Sequence, residues 1–266
     1  MKNKLALLGA LCIVILILLG AFAPLIAPKR PDEQNITERI KAPSSKHILG
    51  TDDLGRDVLS RMLYSARISL SVGIVAVLIA ITLGTLIGML SGYFGGVTDS
   101  ILMRFVDVML CFPTFFLLLM VLAFLEPSIL NVIIVIGLTA WPGLARIVRA
   151  EVLSIKQRDF INASKLLATS KTRIFLMHIL PNVIGPILVA ATLGVGDAIL
   201  AESGLSFLGL GVQPPDASWG QILSAGKEYI HIAWWLSVFP GVAILITVLS
   251  FNLLGEGIRE KLNPKK

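Results

Sequence analysis

Residues 68–98 read ISLSVGIVAVLIAITLGTLIGMLSGYFGGVT and hold no Lys, Arg, Asp or Glu, the nearest charges being Arg67 and Asp99. A helix rises about 1.5 Å per residue and the hydrocarbon core of a bilayer is about 30 Å thick, so roughly 20 uncharged residues suffice to cross it. The run is therefore a membrane span. Gly84, Gly88, Gly92 and Gly96, extended upstream by Ala80, recur every fourth residue and form a flat stripe along one face. Such a stripe lets a second helix approach closely. Packing within the chain is its ordinary use in bundles, and a seam with a second subunit is the other.

Working outward, further uncharged runs lie between Asp107 and Glu126, between Glu126 and Arg146, and between Glu228 and Glu256. Residues 179–200 add a span whose only charge is Asp197, with Pro181 near its first turn, where a missing N–H is tolerated. Residues 5–27 follow a basic start, and Ala21 and Ala23 imitate a secretory cleavage site. The apolar run nevertheless exceeds the roughly 7–15 residues of a signal peptide, so it reads as a retained anchor. The count is six transmembrane helices in an all-α integral membrane protein. Composition agrees: 55% of the 266 residues are hydrophobic and 15% charged, against about 25% charged in soluble domains. Cys12 and Cys111 both fall inside apolar runs and read as small buried hydrophobes.

Basic residues near span ends stay on the cytoplasmic side. With both termini inside, fourteen of the 23 basic and six of the 17 acidic residues fall on the inner side, so the inner surface is positive and the remainder slightly negative. The net charge of +6 thus reflects topology in a multi-pass protein of the cytoplasmic or inner membrane, and offers no basic soluble face for nucleic acid. The division predicted is an anchor helix and extracytoplasmic segment over residues 1–67, then a five-helix core over 68–266. That core carries an inner loop at about 149–178 and an outer loop at about 201–232.

No phosphate-cradling G-x-x-x-x-G-K-[ST] loop is present, since the only Gly-Lys pair is Gly226-Lys227 followed by Glu228. Any ATP dependence must come from a partner. His47, His178 and His231 are too scattered for a metal cage. The chain is read as having no catalytic residue, no metal site and no cofactor of its own.

In the inner loop, Phe160, Ala163 and Leu167 stand at i, i+3 and i+7, giving a short helix one apolar edge; Thr169 and Ser170 then offer an N-cap for a helix entering the fifth span. Docking into a groove on another protein and lying on anionic lipid both fit such a helix. Arg104 and Asp107, three apart on the third span, are placed to pair with each other. Asp197, near the outer end of its span with Gly194 and Gly196 beside it and Glu202 beyond, either lines a route, where it would attract a peptide amino group, or is a solvated interfacial carboxylate. The outer loop carries Gly204, Gly209, Gly211, Pro214-Pro215 and Ser218-Trp219-Gly220. Irregular backbone at membrane depth persists only where protein or water satisfies it, which suggests a folded cap and gate over a cavity. Trp219, Trp234 and Trp235 read most simply as interface-belt residues.

The inner stretch resembles the "EAA" loop of binding-protein-dependent ABC importer permeases, whose pattern is Glu-Ala-Ala, three residues, Gly, and an Ile-x-Leu-Pro end. Asn162-Ala163-Ser164 stands at the Glu-Ala-Ala position and Ala168 at the glycine, while Ile179-Leu180-Pro181 fits the end. Residues 47–61 (HILGTDDLGRDVLSR), 202–211 (ESGLSFLGLG), 214–220 (PPDASWG) and 252–264 (NLLGEGIREKLNP) resemble the C-type permease of the dipeptide/oligopeptide/nickel importer family. The resemblance implies an ABC type I importer permease fold, and a heterodimer with a second homologous permease subunit. It further implies two ABC ATPase subunits that bind ATP and Mg, and an extracytoplasmic substrate-binding protein. It makes the inner loop a coupling helix, with Phe160, Ile161 and Ala163 in the buried contact, Arg158 and Lys165 at its rim, and Asn162, Ser164, Leu167 and Ala168 completing it. Asp197, Glu202, Ser206 and Phe207 are the candidates for the path and gate.

Peptides and nickel are both cargo in that family. A nickel route would favour imidazole or thiolate ligands, and the three histidines and two cysteines do not cluster, so di- or oligopeptides are the expected cargo. An intramembrane serine protease would take Gly204-Leu205-Ser206 as its nucleophile turn and His231 as base, although Phe207 replaces the usual following glycine. A secondary transporter would show inverted repeats, and the sequence has no repeat.

Overall fold

The computed structural model describes residues 2–262. Lys265 and Lys266, counted above for orientation, and the last two residues of the 252–264 motif lie outside the described residues. Eleven α-helices follow in order: α1 (Lys2–Ala21), α2 (Ala23–Ile26), α3 (Val58–Phe94), α4 (Gly96–Cys111), α5 (Thr114–Ala123), α6 (Ile129–Lys156), α7 (Asp159–Leu166), α8 (Lys171–Arg173), α9 (Leu180–Phe207), α10 (Trp219–Gly226) and α11 (Trp235–Leu262). A π-helical turn, Ile174–Ile179, joins α8 to α9, so that 171–207 runs as one rod.

Five rods are long and apolar enough to cross a membrane, and α4 with α5 passes the same test only as a pair bent by 82°, the form of a broken sixth span or a re-entrant loop. The bend follows from Pro113, which lacks an N–H and drives the residue before it out of the helical region; Phe112 sits at φ −91°, ψ 129°. The third span is therefore broken where a straight helix was expected. Its charges also pair differently. Asp107 accepts from Arg146 of α6 at 2.6 Å, while Asp99 takes both arms of Arg149 at 2.6 Å, so the arginines of α6 replace the expected Arg104–Asp107 contact. The Arg149–Asp99 pair is bidentate and so the stronger of the two.

α3 begins ten residues before the uncharged run because its start is set by a cap. The Asp57 carboxylate accepts from Ser60 N at 2.9 Å. The resulting 37-residue helix packs along α6 through the glycine stripe. A Cβ placed on Gly88 would stand 2.5 Å from Ala145 O, and one on Gly92 would stand 2.8 Å from Val152 Cβ. Gly137 of α6 returns the contact, its Cβ position lying 2.7 Å from Ile79 Cβ. The stripe thus serves packing within the chain, and it ends before Gly96, which meets nothing within 4 Å. Gly88→Val is expected to destabilise the subunit by about 1–3 kcal/mol or more through overpacking against backbone, read as earlier thermal unfolding in detergent. Unchanged unfolding would mean that α3 and α6 do not meet there.

Ile199, Val72, Val135 and Leu205 centre the core where α3, α6 and α9 converge. α1 joins its edge through Ile13 and runs antiparallel to α11: the Gly9 Cβ position is 2.6 Å from Ser250 O, and that of Gly257 falls on Ala6 Cβ. The start of α1, the end of α11 and α7 therefore share one end of the bundle, and residues 28–57 and 208–234 cover the other.

Candidate functional site

At the α7 end, Lys156 closes α6 onto α3 by donating to Gly92 O (3.2 Å) and Tyr93 O (2.7 Å). The chain then turns into α7, whose first N–H groups reach the Arg158 carbonyl from Ile161 (3.0 Å) and Asn162 (3.3 Å). Ile161 is fully buried among Val148, Val152, Ile155 and Ile174. This corrects the expectation that Ile161 belongs to an exposed docking face: it anchors α7 to its own bundle. What α7 presents outward is Phe160 (40% exposed), Ala163, Leu166 (88%) and Leu167 (80%). The i, i+3, i+7 template overlooked Leu166, although the Leu166-Leu167 pair was the available signal. Arg158 and Asn162 are exposed, Ser164 Oγ donates to Phe160 O at 2.8 Å, and the side chain of Lys165 lies outside the described residues. Ser170 supplies the next cap, accepting from Arg173 N at 3.4 Å.

Ala168 ends α7 with φ +51°, and Thr169 N reaches back to Ser164 O at 3.1 Å, closing the turn in the form that ordinarily takes glycine. A left-handed alanine costs about 1–2 kcal/mol, while glycine gives back about 0.4–1 through the unfolded chain. Ala168→Gly is therefore expected to stabilise by about 0.5–1 kcal/mol, seen as later thermal unfolding. A loss of stability would show that this turn is not left-handed.

At the other end, residues 47–61 form a clamp. His47 Nδ1 pairs with Asp57 Oδ1 at 2.9 Å and its Nε2 with Glu38 Oε2 at 3.2 Å, while Asp57 Oδ2 caps α3. Buried Asp52 accepts from Arg56 Nε at 2.7 Å and from Arg61 Nη1; Arg61 Nη2 reaches Gln221 Oε1 of α10 at 2.8 Å. Trp235 of α11 donates Nε1–H to Thr51 O at 3.1 Å, and Gly50 (φ +81°) leaves room for that indole. In sequence this motif showed a family likeness and no role. Lys46, then His47 and Lys29, hold the Glu38 carboxyl down at about 2 from its ordinary 4.5, against the opposing effect of desolvation. The folded state depresses this carboxyl, so its pairing supports the clamp above about pH 4.5 and is lost as pH falls toward 2.

Glu202 is fully buried on α9. Its Oε1 accepts from Ser206 Oγ (2.6 Å) and Ser218 Oγ (2.5 Å); Ser206 Oγ takes Val212 N at 3.2 Å, and Ser218 caps α10 through Gln221 N at 3.1 Å. Trp219 N donates to Ser69 of α3 at 3.1 Å, and Gly220 presses on Ser203, its Cβ position 2.5 Å from Ser203 Cα. Glu202 and Ser206 thus pin the outer loop to α9 and do not face an open path. Phe207 is 38% exposed, with Lys227 Nζ 5.3 Å above its ring. The serine-protease geometry is absent at Ser206, whose hydrogen-bond partners are Glu202, Ser218 and Val212, with His231 exposed elsewhere. Trp219 and Trp235 are buried, so of the three expected belt residues only Trp234 is exposed. Asp197 alone among the acidic candidates is exposed, on a cavity of about 330 Å³ bounded by α3, α5, α6 and α9. Among the described residues no group of three or more His, Cys, Asp or Glu is placed to hold a metal ion.

Residues 84–266 match the family described as binding-protein-dependent transport system inner membrane component, and residues 1–43 match the N-terminal TM domain of oligopeptide transport permease C. The chain is 44% identical to a dipeptide transport system permease protein of Alkalihalophilus pseudofirmus, covering 99% of this chain and 87% of the relative. It is 40% identical to the dipeptide permease of Haemophilus influenzae (99% and 92%) and 42% identical to that of Bacillus subtilis (99% and 83%). A structure of the MetNI methionine ABC transporter in an inward-facing conformation superposes with a TM-score of 0.61 at 18% identity, over 75% of this chain and 94% of the other. That similarity places the chain in the all-α fold of type I importer permeases.

Proposed function

Because the chain belongs to the family of binding-protein-dependent transport system inner membrane components, we propose that it is the permease subunit of an ATP-driven importer of di- or oligopeptides. The observation that carries this reading is similarity over 99% of the chain to relatives named for dipeptide transport. The same names favour peptide over nickel. The chain contributes a path and carries no nucleotide site; two ABC ATPase subunits supply ATP and Mg, an extracytoplasmic binding protein delivers cargo, and a second permease subunit completes a heterodimer. α7 is the coupling element, its Phe160, Ala163, Leu166 and Leu167 face seated in a cleft of one ATPase subunit with Arg158 and Lys165 at the rim. Both termini and α7 face the cytoplasm; residues 1–67 act as anchor and outer segment, and 68–266 as the transport core. In a background without Cys12 and Cys111, cysteines at Ser45 and Lys261 should label from opposite sides of the membrane. Labelling from one side would sink the topology. The whole complex in proteoliposomes should take up dipeptide only with ATP and with the peptide-loaded binding protein. Nickel uptake without peptide uptake would overturn the cargo.

A further inference from the structure

The cavity that Asp197 lines continues beyond its own walls. A second cavity of about 480 Å³, toward the α7 end, shares Ile147, Ala190 and Leu193 with it, so the two form one groove between α6 and α9. The upper part is walled by alanine, valine, isoleucine and leucine, with Thr114, Thr139 and Asp197 as its polar residues, and Asp197 is its sole charge. Thr139 Oγ1 is occupied by donation to Val135 O at 2.8 Å. The lower mouth carries Glu151, Arg158, Asn182 and Arg259. Asp197 lines this cavity together with Val77 and Ala80, near the middle of the 37-residue α3, and is exposed to it. Among the described residues no cationic side chain lines the upper cavity. A carboxylate held in apolar surroundings requires a cation or water. Glu202, the other acid on this helix, is buried and engaged by two serines, which leaves Asp197 as the acid offered to the groove.

We propose that Asp197 receives the amino-terminal ammonium group of the peptide as it passes along the α6–α9 groove. The upper cavity stands at the low end of the roughly 300–1,000 Å³ typical of small-molecule sites, which matches a short peptide better than a folded partner segment. Its single charge complements the only group that every unblocked peptide shares regardless of side chains, apart from the carboxylate. The mouth toward α7 carries both signs, Arg158 and Arg259 beside Glu151, with Arg259 also 3.5 Å from Glu256, whereas the upper cavity carries the single negative charge of Asp197. The cavity's apolar walls hold side chains of any sequence without selecting among them. This assignment rests on the reading of the chain as a peptide importer permease.

The test uses the assembled complex in nanodiscs, nucleotide-free and without binding protein, with Ala-Ala and N-acetyl-Ala-Ala as probes followed by saturation-transfer NMR. One charge-assisted contact corresponds to about tenfold or more in affinity. Wild type should bind Ala-Ala at least about tenfold more tightly than the acetylated probe; Asp197→Asn should erase that difference, and Asp197→Glu should restore most of it. In proteoliposomes Asp197→Asn should import less peptide per ATP while copurifying with all partners. Equal discrimination in wild type and Asp197→Asn would overturn the assignment. So would loss of the second permease on Asp197→Asn, since Asp197 would then be a partner's counter-ion. If wild type imports no peptide at all, the importer reading itself fails; if it imports peptide and Asp197→Asn matches it, only this inference fails.

Discussion

Phe160→Asp is expected to reduce ATP-driven uptake to background and to weaken retention of the ATPase subunits by a hundredfold or more, while the subunit still inserts and folds. The separation follows from exposure. Phe160 is 40% exposed in this chain, so the substitution costs the fold only part of a full burial, about 1–2 kcal/mol. Seated in an apolar cleft, an unpaired carboxylate costs several kcal/mol. Its neighbour gives the opposite signature: Ile161 is fully buried, and Ile161→Ala should remove about 2–5 kcal/mol of stability before any partner is involved. Co-purification, uptake and melting measured side by side on the two variants decide the matter. Persisting uptake with Phe160→Asp would sink the coupling role of α7.

Asp52→Ala should be the most damaging change at the opposite end. Asp52 neutralises Arg61, whose side chain is 3% exposed, and Arg56 beside it. Arg56 has a fallback in Asp53 at 3.6 Å; Arg61 keeps only the neutral Gln221. Removing one partner of a buried pair costs about 3–5 kcal/mol because a charge stays behind, whereas replacing the whole set by apolar residues is often neutral. The expected result is early melting and proteolysis within residues 28–57, partly reversed when Arg61→Met accompanies Asp52→Ala. Wild-type melting of the single variant would show that Arg61 reaches water or another acid.

The five long spans were legible because uncharged runs leave the chain no alternative in a bilayer. The length of α3 was not, since Arg61 and Arg67 inside it read as boundaries until Asp57 is seen to cap it and Asp52 to satisfy Arg61. The break at Pro113 was available from the residue itself and was hidden by the unbroken apolar run around it. The outward edge of α7 followed from periodicity, yet Ile161 could be assigned inward only with α6 and the π-helical turn in view. Glu202 was a candidate for the path and gate; that it holds Ser218, sixteen residues away, as well as Ser206 on its own helix depends on a loop whose fold no short pattern reports.

The pairing of α1 with α11 sets a condition on how the chain is made. α1 leaves the ribosome first and α11 last, so the helix against which Gly9 closes does not exist while nearly all of the chain is being synthesised. During that interval the side of α1 that α11 will cover faces lipid, which requires that side to be apolar too, although Gly20 already meets Ala66 and Arg67 of α3; after Lys4 the helix carries no charge and little polarity on any face. Completion of the bundle then amounts to the last helix finding the first one already waiting in the bilayer, and a polar residue on the α11-facing side of α1 would be felt at insertion, long before it was felt in the finished fold.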